Sequence, residues 1–342
     1  MSQLQLIPEW AEQDAVLLSW PHEKTDWLPI LDRVESCYRT IAIEILRRQK
    51  LLLVGNTAQK ARLSLPQELQ ANCYAFPIET NDTWIRDYGP LACIDEENNK
   101  VIVDCGFNAW GLKFASNLDN NVLRHLYACG VFAPSVTYQN ELNFIFEGGA
   151  IETNSRGILL STDSCILEGN RNPQLTATEI KQKISSLLGG KILLSLRNGA
   201  IPGDDTDGHI DTLVRFIDPT TLVYVSPSDP QSSSYNTLLK MELELQQIAN
   251  EHQLNLTPLP DAGNFIGREG ELIPATYANF LFINGAVLLP IYNRPTDIIA
   301  MEQLQKALPN REICPIDCSS LIEQHGSLHC ISMQIPKGFL SL

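Results

Sequence analysis

The chain has 342 residues, 44% hydrophobic, 19% charged and 7% aromatic, with a formal net charge of -15. That is enough apolar material for a substantial core, and it excludes a disordered chain. The negative charge speaks against nucleic acid and anionic membrane surfaces as partners; it suits a cationic small molecule, although an acidic surface is also simply a soluble one.

No apolar run reaches the roughly 18–20 residues of a membrane span. Met1 to Gln13 lacks the basic start and apolar stretch of a signal peptide. Nine cysteines, an odd number, are scattered along the chain. They read as reduced thiols in a cytoplasmic protein rather than as a disulfide framework. Cys314 and Cys318 are not followed by a second Cys or His pair at zinc-finger spacing.

In chain order, Gln13 to Pro21 reads as a buried strand ended by proline. An amphipathic helix follows from about Asp32 to Lys50, with Val34, Cys37, Ile41 and Ile45 at helical spacing and Asp32 as N-cap. Leu51 to Gly55 is a short buried strand. A pattern then recurs every 60 to 70 residues or so. Hairpins are predicted at Gly89–Ile94 with Val101–Val103, at Gly149–Glu152 with Ile158–Ser161, and at Ile210–Phe216 with Leu222–Ser226. A fourth pairs Tyr277–Ile283 with Ala286–Ile291 across Asn284-Gly285, a strong hairpin signal. A helical stretch follows each: Asp119–Cys129, Thr176–Leu188, Tyr235–His252 and Asp297–Leu308. A fifth module would pair the N-terminal strand near Val16 with the C-terminal one near Cys330, closing a ring. No linker or low-complexity segment divides the chain, so residues 1–342 are expected to form one domain.

Five groups lie near the start of the first strand of their modules: Asp87, Glu147, His209, Asp211 and Cys330. If the modules are related by rotation, these positions converge in one pocket. Cys330 then reads as a thiolate nucleophile; otherwise it is a buried cysteine acting as a small hydrophobe. His329, its neighbour on a strand, would point to the opposite face and play a structural part. His209 and Asp211, two apart on a strand, would share a face and suit proton transfer to a substrate held by the acid. A metal site or a hydrogen-bonded turn remains open for them. Asp87 precedes a strand, where an ion pair of Arg86 plus a turn is the plainer reading. Glu147 precedes Gly148-Gly149, where backbone can approach closely, or where a strand simply begins.

The stretches Trp20-Pro21-His22, Asn81 to Pro90, Glu147-Gly148-Gly149, Gly208 to Asp211 and His329 to Ser332 resemble those of the agmatine deiminase branch of the bacterial-type peptidylarginine deiminase family, in order, over nearly the whole chain. The resemblance implies an α/β pentein fold: a five-bladed ββαβ propeller with pseudo-five-fold symmetry. It implies hydrolysis of agmatine to N-carbamoylputrescine and ammonia through a covalent Cys thiouronium. Cys330 would be the nucleophile and His209 the general acid/base, charged so as to favour the thiolate. Asp87 and Asp211 would grip the guanidinium, and Glu147 would hold it and orient His209. Trp84 would pack on the alkyl chain, with Asp82 and Asp205 as candidates for the distal amine. No metal or organic cofactor is expected, and a homo-oligomer is left open. Family members often carry three glycines before the His-Cys pair, whereas this chain has His325-Gly326-Ser327-Leu328. Tyr88 and Asp207 likewise stand where small or amide residues are expected. These departures bear on the substrate tail.

Three rivals remain at this point: the same chemistry on free or peptidyl arginine, a metal-dependent hydrolase using His209, Asp211 and His325 or His329, and a non-catalytic polyamine-binding protein.

Overall fold

The computed structural model describes residues 4–342; the Met1–Gln3 part of the segment read for a signal peptide lies outside them. The described residues form a mixed α/β fold in which one strand pattern recurs five times. In each case two strands pair antiparallel, and the second pairs parallel with a third across a helix.

Leu91–Ile94 pairs antiparallel with Lys100–Gly106, which runs parallel to Thr137–Ile145 after the helix Asp119–Ala128. Glu152–Thr153, Ile158–Thr162 and Ile192–Leu196 repeat this around the helix Ala177–Leu188. Val214–Asp218, Thr221–Val225 and Asn255–Leu259 do so around Tyr235–His252. Leu281–Ile283, Ala286–Ile291 and Glu312–Asp317 do so around Thr296–Ala307. The fifth set joins the two ends of the chain, as the spacing predicts. Ser332–Pro336 pairs antiparallel with Gln13–Ser19, which runs parallel to Lys50–Val54 after the helix Leu31–Leu46. These are separate sheets, and among the described residues no strand order closes into one continuous sheet.

The local reasons are ordinary ones. The helix Leu31–Leu46 buries Val34, Cys37, Ile41 and Ile45, together with Tyr38 and Ala42. Asp32 does not cap it; it lies in the first turn, where a negative charge still opposes the helix dipole favourably. Thr176 and Glu179 form a reciprocal capping box on Ala177–Leu188, and Gly189 ends that helix at φ +75°. Asn284-Gly285 makes the tight link between the paired residues Ile283 and Ala286.

The backbone departs from the expected hairpins just before their inner strands, and the site lies there. The chain preceding each inner strand is not strand. Ile85–Tyr88, Gly148–Ala150 and Ile210–Thr212 are single helical turns, and the strands begin later, at Leu91, Glu152 and Val214. Side chains explain the third case. Thr206 Oγ1 accepts the His209 N–H at 3.1 Å, and Thr212 Oγ1 donates to the His209 carbonyl at 2.8 Å. Such local bonds replace the ladder a strand would need. The two-residue alternation expected for His209 and Asp211 therefore does not apply.

Candidate active site

The turns before the inner strands project their side chains onto Gly149. A methyl group on Gly149 would lie 2.5 Å from His209 Nδ1, 2.9 Å from Asp87 Oδ1 and 3.1 Å from Asp211 Oδ2. Side chains from two turns more than 120 residues apart along the chain, one bearing Asp87 and the other His209 and Asp211, thus face one point, and only glycine leaves room for them. The Gly149 N–H also donates to Asp87 Oδ1 at 3.0 Å.

Cys330 lies just before the strand Ser332–Pro336, and its Sγ is 3.9 Å from Asp211 Oδ2. Asn279 lies 3.2 Å from the sulfur through Nδ2, and its Oδ1 accepts the His329 N–H at 3.0 Å. Burial, and then the charges of Asp211 and Asp87, push the Cys330 thiol well above its ordinary value. Burial likewise pushes His209 down to about 3, against the pull of Asp211. The charged histidine expected from the sequence is therefore corrected: the protein's own groups leave His209 neutral, because burial disfavours the imidazolium.

The two acids flanking the thiol differ. Asp87 accepts from Trp110 Nε1 at 2.9 Å, yet burial and the neighbouring Asp211 and Glu147 raise its carboxyl well above the usual range. Burial would raise Asp211 too, but His329, with Nδ1 2.7 Å from Asp211 Oδ2, holds it below. Asp211 Oδ1 and His209 Nε2 are both buried without a hydrogen-bond partner, two unspent polar atoms at the same site.

Glu147 is placed differently from expectation. Both its oxygens accept from Arg171 Nε at 2.9 Å, and it makes no hydrogen bond to His209. Glu147, Cys165 and His209 each offer an atom within 4.8 Å of the others, a trio with metal-ligand chemistry. It is not the expected set: His329 spends its nitrogens on Asp211 and Glu9, and His325 turns Nδ1 to the Gly203 carbonyl at 2.6 Å. Within the trio, Arg171 already engages the carboxylate, and burial pushes the Cys165 thiol up.

Trp84 is buried, tilted against Trp27 at 5.6 Å, with its edge over Gly326; a methyl there would lie 2.0 Å from Trp84 Cζ3. Asp82 accepts from the Thr83 N–H at 2.7 Å, and burial pushes it up to about 6. It lines a cleft of about 200 Å³ with Asp26, Phe107, Trp110, Phe114 and Asp119. Asp205 is also pushed up to about 6 by burial, and Lys113 donates to its backbone carbonyl. Neither Asp82 nor Asp205 hydrogen-bonds to Cys330, Asp87 or Asp211 in the structure.

The sequence reading missed Asn279, Trp110 and Arg171. Asn279 had a signal, because it precedes the inner strand of the fourth set, at the position that bears the acids in the others. Trp110 sits in a loop where Ala109, Trp110 and Leu112 all have positive φ, a strained geometry that aims its indole at Asp87. Arg171 had no signal beyond being an arginine in a polar loop.

A repeated α/β scaffold with a thiol, an imidazole and paired acids on its entry turns defines the class: an enzyme with its structural neighbours in the pentein superfamily. Within that class, the chain belongs to the Porphyromonas-type peptidyl-arginine deiminase family, whose model matches residues 5–336. It is similar to a Porphyromonas gingivalis structure given the provisional name arginine deiminase, with 46% identity and a TM-score of 0.94 over 99% of this chain and 100% of that one. A cysteine-to-serine variant of the C. jejuni agmatine deiminase, solved with substrate bound, is 37% identical with a TM-score of 0.90, covering 98% and 97%. A Vibrio parahaemolyticus relative provisionally named agmatine deiminase is 31% identical over 96% of this chain and 95% of its own length. The Pseudomonas aeruginosa DDAH shares the fold alone, at 12% identity and a TM-score of 0.51. No helix of the described residues is long and apolar enough to cross a membrane.

Proposed function

We propose that this chain is an agmatine deiminase: residues 1–342 form one pentein domain, five ββαβ blades about a pseudo-five-fold axis, with the reaction at the hub. The supporting observation is the meeting of Asp87, His209 and Asp211 at Gly149, beside the Cys330 sulfur. Two carboxylates flanking a thiol suit a planar cation. They can fix the guanidinium plane and set its carbon against Sγ, a positioning effect of roughly 7–11 kcal/mol at best.

The thiol is raised by burial and, beyond that, by Asp211 and Asp87, so a guanidinium that neutralises those acids removes their part of the rise. Neutral His209 is then poised to accept the thiol proton. Cys330 Sγ adds to the guanidinium carbon, and His209 returns the proton to the departing nitrogen, which leaves as ammonia. Water, deprotonated by His209, attacks the resulting thiouronium, and the C–S bond breaks to give N-carbamoylputrescine and free thiol. Asp87 and Asp211 hold the substrate nitrogens, and Glu147, fixed by Arg171, supports the His209 side. Trp84 lines the path of the alkyl chain, and Asp82 or Asp205 receives the distal amine. The reading needs no cofactor.

The same chemistry on free arginine is the second reading, supported by the provisional name of the Porphyromonas gingivalis relative. An α-carboxylate would need a cation, and Arg86 is spent on Glu9 at 3.0 Å and Gln334 at 2.5 Å. Ammonia release from agmatine, arginine and a peptidyl-arginine, measured side by side, decides. Turnover confined to agmatine is expected; preferred turnover of arginine would overturn the assignment, and no turnover of any would overturn the chemistry.

A further inference from the structure

The acid facing Cys330 is held from behind. Asp211 spends Oδ2 on His329 Nδ1 at 2.7 Å and on Asn279 Nδ2 at 3.4 Å, which leaves the buried Oδ1 free. The other nitrogen of the fully buried His329 ring, Nε2, lies 2.8 and 2.9 Å from the two oxygens of Glu9. A second hydrogen bond of this kind sets the orientation of an imidazole at its working nitrogen.

Glu9 itself is immobilised. It comes from the N-terminal segment, which is anchored where Gln5 and Leu6 pair with Ile94 and Cys93 and where the Ile7 N–H donates to the Ala92 carbonyl at 3.0 Å. Its carboxylate accepts from Arg86 at 3.0 Å, from Gln334 Nε2 at 3.0 Å and from Arg215. Arg215 is in turn held by Glu152 and by the Ala278 and Phe280 carbonyls at 3.1 and 2.8 Å. Donors from three separate parts of the chain thus fix one carboxylate, and that carboxylate fixes the ring.

We propose that Glu9 is a positioning residue for the deiminase reaction: by clamping His329 it fixes Asp211 Oδ2, and so aims the free Oδ1 at the substrate guanidinium beside Cys330. The inference rests on reading Asp211 as a guanidinium ligand. Without Glu9 the ring is free to turn, and the carboxylate loses its fixed direction. A displacement of about 1 Å at a reacting centre can cost on the order of 100-fold in rate.

The test compares alkylation of Cys330 by 2-chloroacetamidine, a cation, with that by 2-chloroacetamide, its neutral counterpart, using peptide mass spectrometry. In both, Sγ displaces chloride and forms one C–S bond, so the ratio of rates reports the carboxylate cradle and not the thiol. The unmodified protein should favour the amidine strongly. Glu9→Ala should lower that preference about tenfold or more, with the amide rate changed no more than about twofold and kcat/KM for agmatine down on the order of 100-fold. Glu9→Gln, which keeps an oxygen toward the ring, should recover most of the preference. Glu9→Asp keeps the charge balance but withdraws the acceptor by one methylene; it should show the loss in a protein that still melts in one cooperative transition, and it carries the test if Glu9→Ala does not fold. An unchanged preference in Glu9→Asp and Glu9→Ala overturns the inference alone. Equal slowing of both reagents also overturns it, in favour of a purely structural residue. An unmodified protein without amidine preference overturns the cradle reading itself.

Discussion

Arg171 Nε lies 2.9 Å from both carboxylate oxygens of Glu147, and both side chains are sealed from solvent. The same guanidinium donates to Asp207 Oδ2 at 2.8 Å and to the Thr206 carbonyl at 2.9 Å, two and three residues before His209. One cation therefore ties the Glu147 turn to the loop that delivers the histidine. Burial raises the Glu147 carboxyl, and Arg171 is its main counterweight. Arg171→Gln strands a buried acid, and should destabilise the fold by about 3–5 kcal/mol. Arg171→Lys should recover only part of this, because a point charge cannot copy the geometry. Urea titration of the three proteins checks the order.

Cys330→Ala should abolish ammonia release while the protein keeps its far-UV circular dichroism and its melting transition. The sulfur's contacts with Asn279 and Asp211 are few and long, at 3.2 and 3.9 Å, so little of the fold depends on it. Full activity in the variant would remove the nucleophile assignment.

Asp87→Asn and Asp211→Asn each remove a charge from the cradle while preserving size. Losing one member of a buried charge pair costs about 2–5 kcal/mol, so kcat/KM for agmatine should fall roughly 30-fold to several thousandfold. Steady-state kinetics within a few-fold of the unmodified protein in either variant would mean the cradle lies elsewhere.

Much of this arrangement is legible in the sequence, and the boundary has physical causes. The helix Tyr235–His252 was read to the residue, and the pairing of the two chain ends followed from module spacing. Apolar periodicity and a repeat of pattern carry that information. Two of the entry turns, at Gly149-Ala150 and Ile210–Thr212, read as strand because Gly149 to Glu152 and Ile210 to Phe216 look extended, whereas in the second of them hydrogen bonds by the Thr206 and Thr212 side chains decide the local backbone. Glu9 and Arg171 were invisible because nothing local marks them: Glu9 meets its partners Arg86, Arg215 and His329 only after folding. The protonation of His209 was misjudged for a related reason, since burial depth is a property of the whole core.

Gly149→Ala should leave a folded protein with little activity. Glycine is needed here for space and not for a left-handed φ, since the added methyl would fall 2.5 Å from His209 Nδ1 and 2.9 Å from Asp87 Oδ1. Forcing a methyl into a packed site typically costs about 1–3 kcal/mol. The displaced groups are the proposed base and a proposed guanidinium ligand, so kcat/KM should drop on the order of 100-fold. Kinetics alongside a melting curve separate the two effects; normal turnover would show that His209 and Asp87 need not stand so close.

The neutral His209 gives a test of its own, in stability against pH. Its folded pKa of about 3 lies below the ordinary 6.5, so the histidine takes up a proton on unfolding at any pH between the two. Its neutral burial therefore favours the fold fully above pH 6.5, and that contribution is lost as pH falls toward 3. Asp87 and Asp204 have raised carboxyls and work in the opposite sense, so the total curve hides the effect. The difference between the unmodified protein and His209→Asn isolates it, because asparagine does not titrate. The unfolding free energy of the unmodified protein minus that of the variant should shrink as pH drops from 7 to 4, by at most about 1.4 kcal/mol per pH unit. Urea titrations at half-unit intervals measure this. A difference independent of pH would mean that the histidine is protonated alike in the folded and unfolded chains, and the base in the proposed reaction would have to be found elsewhere.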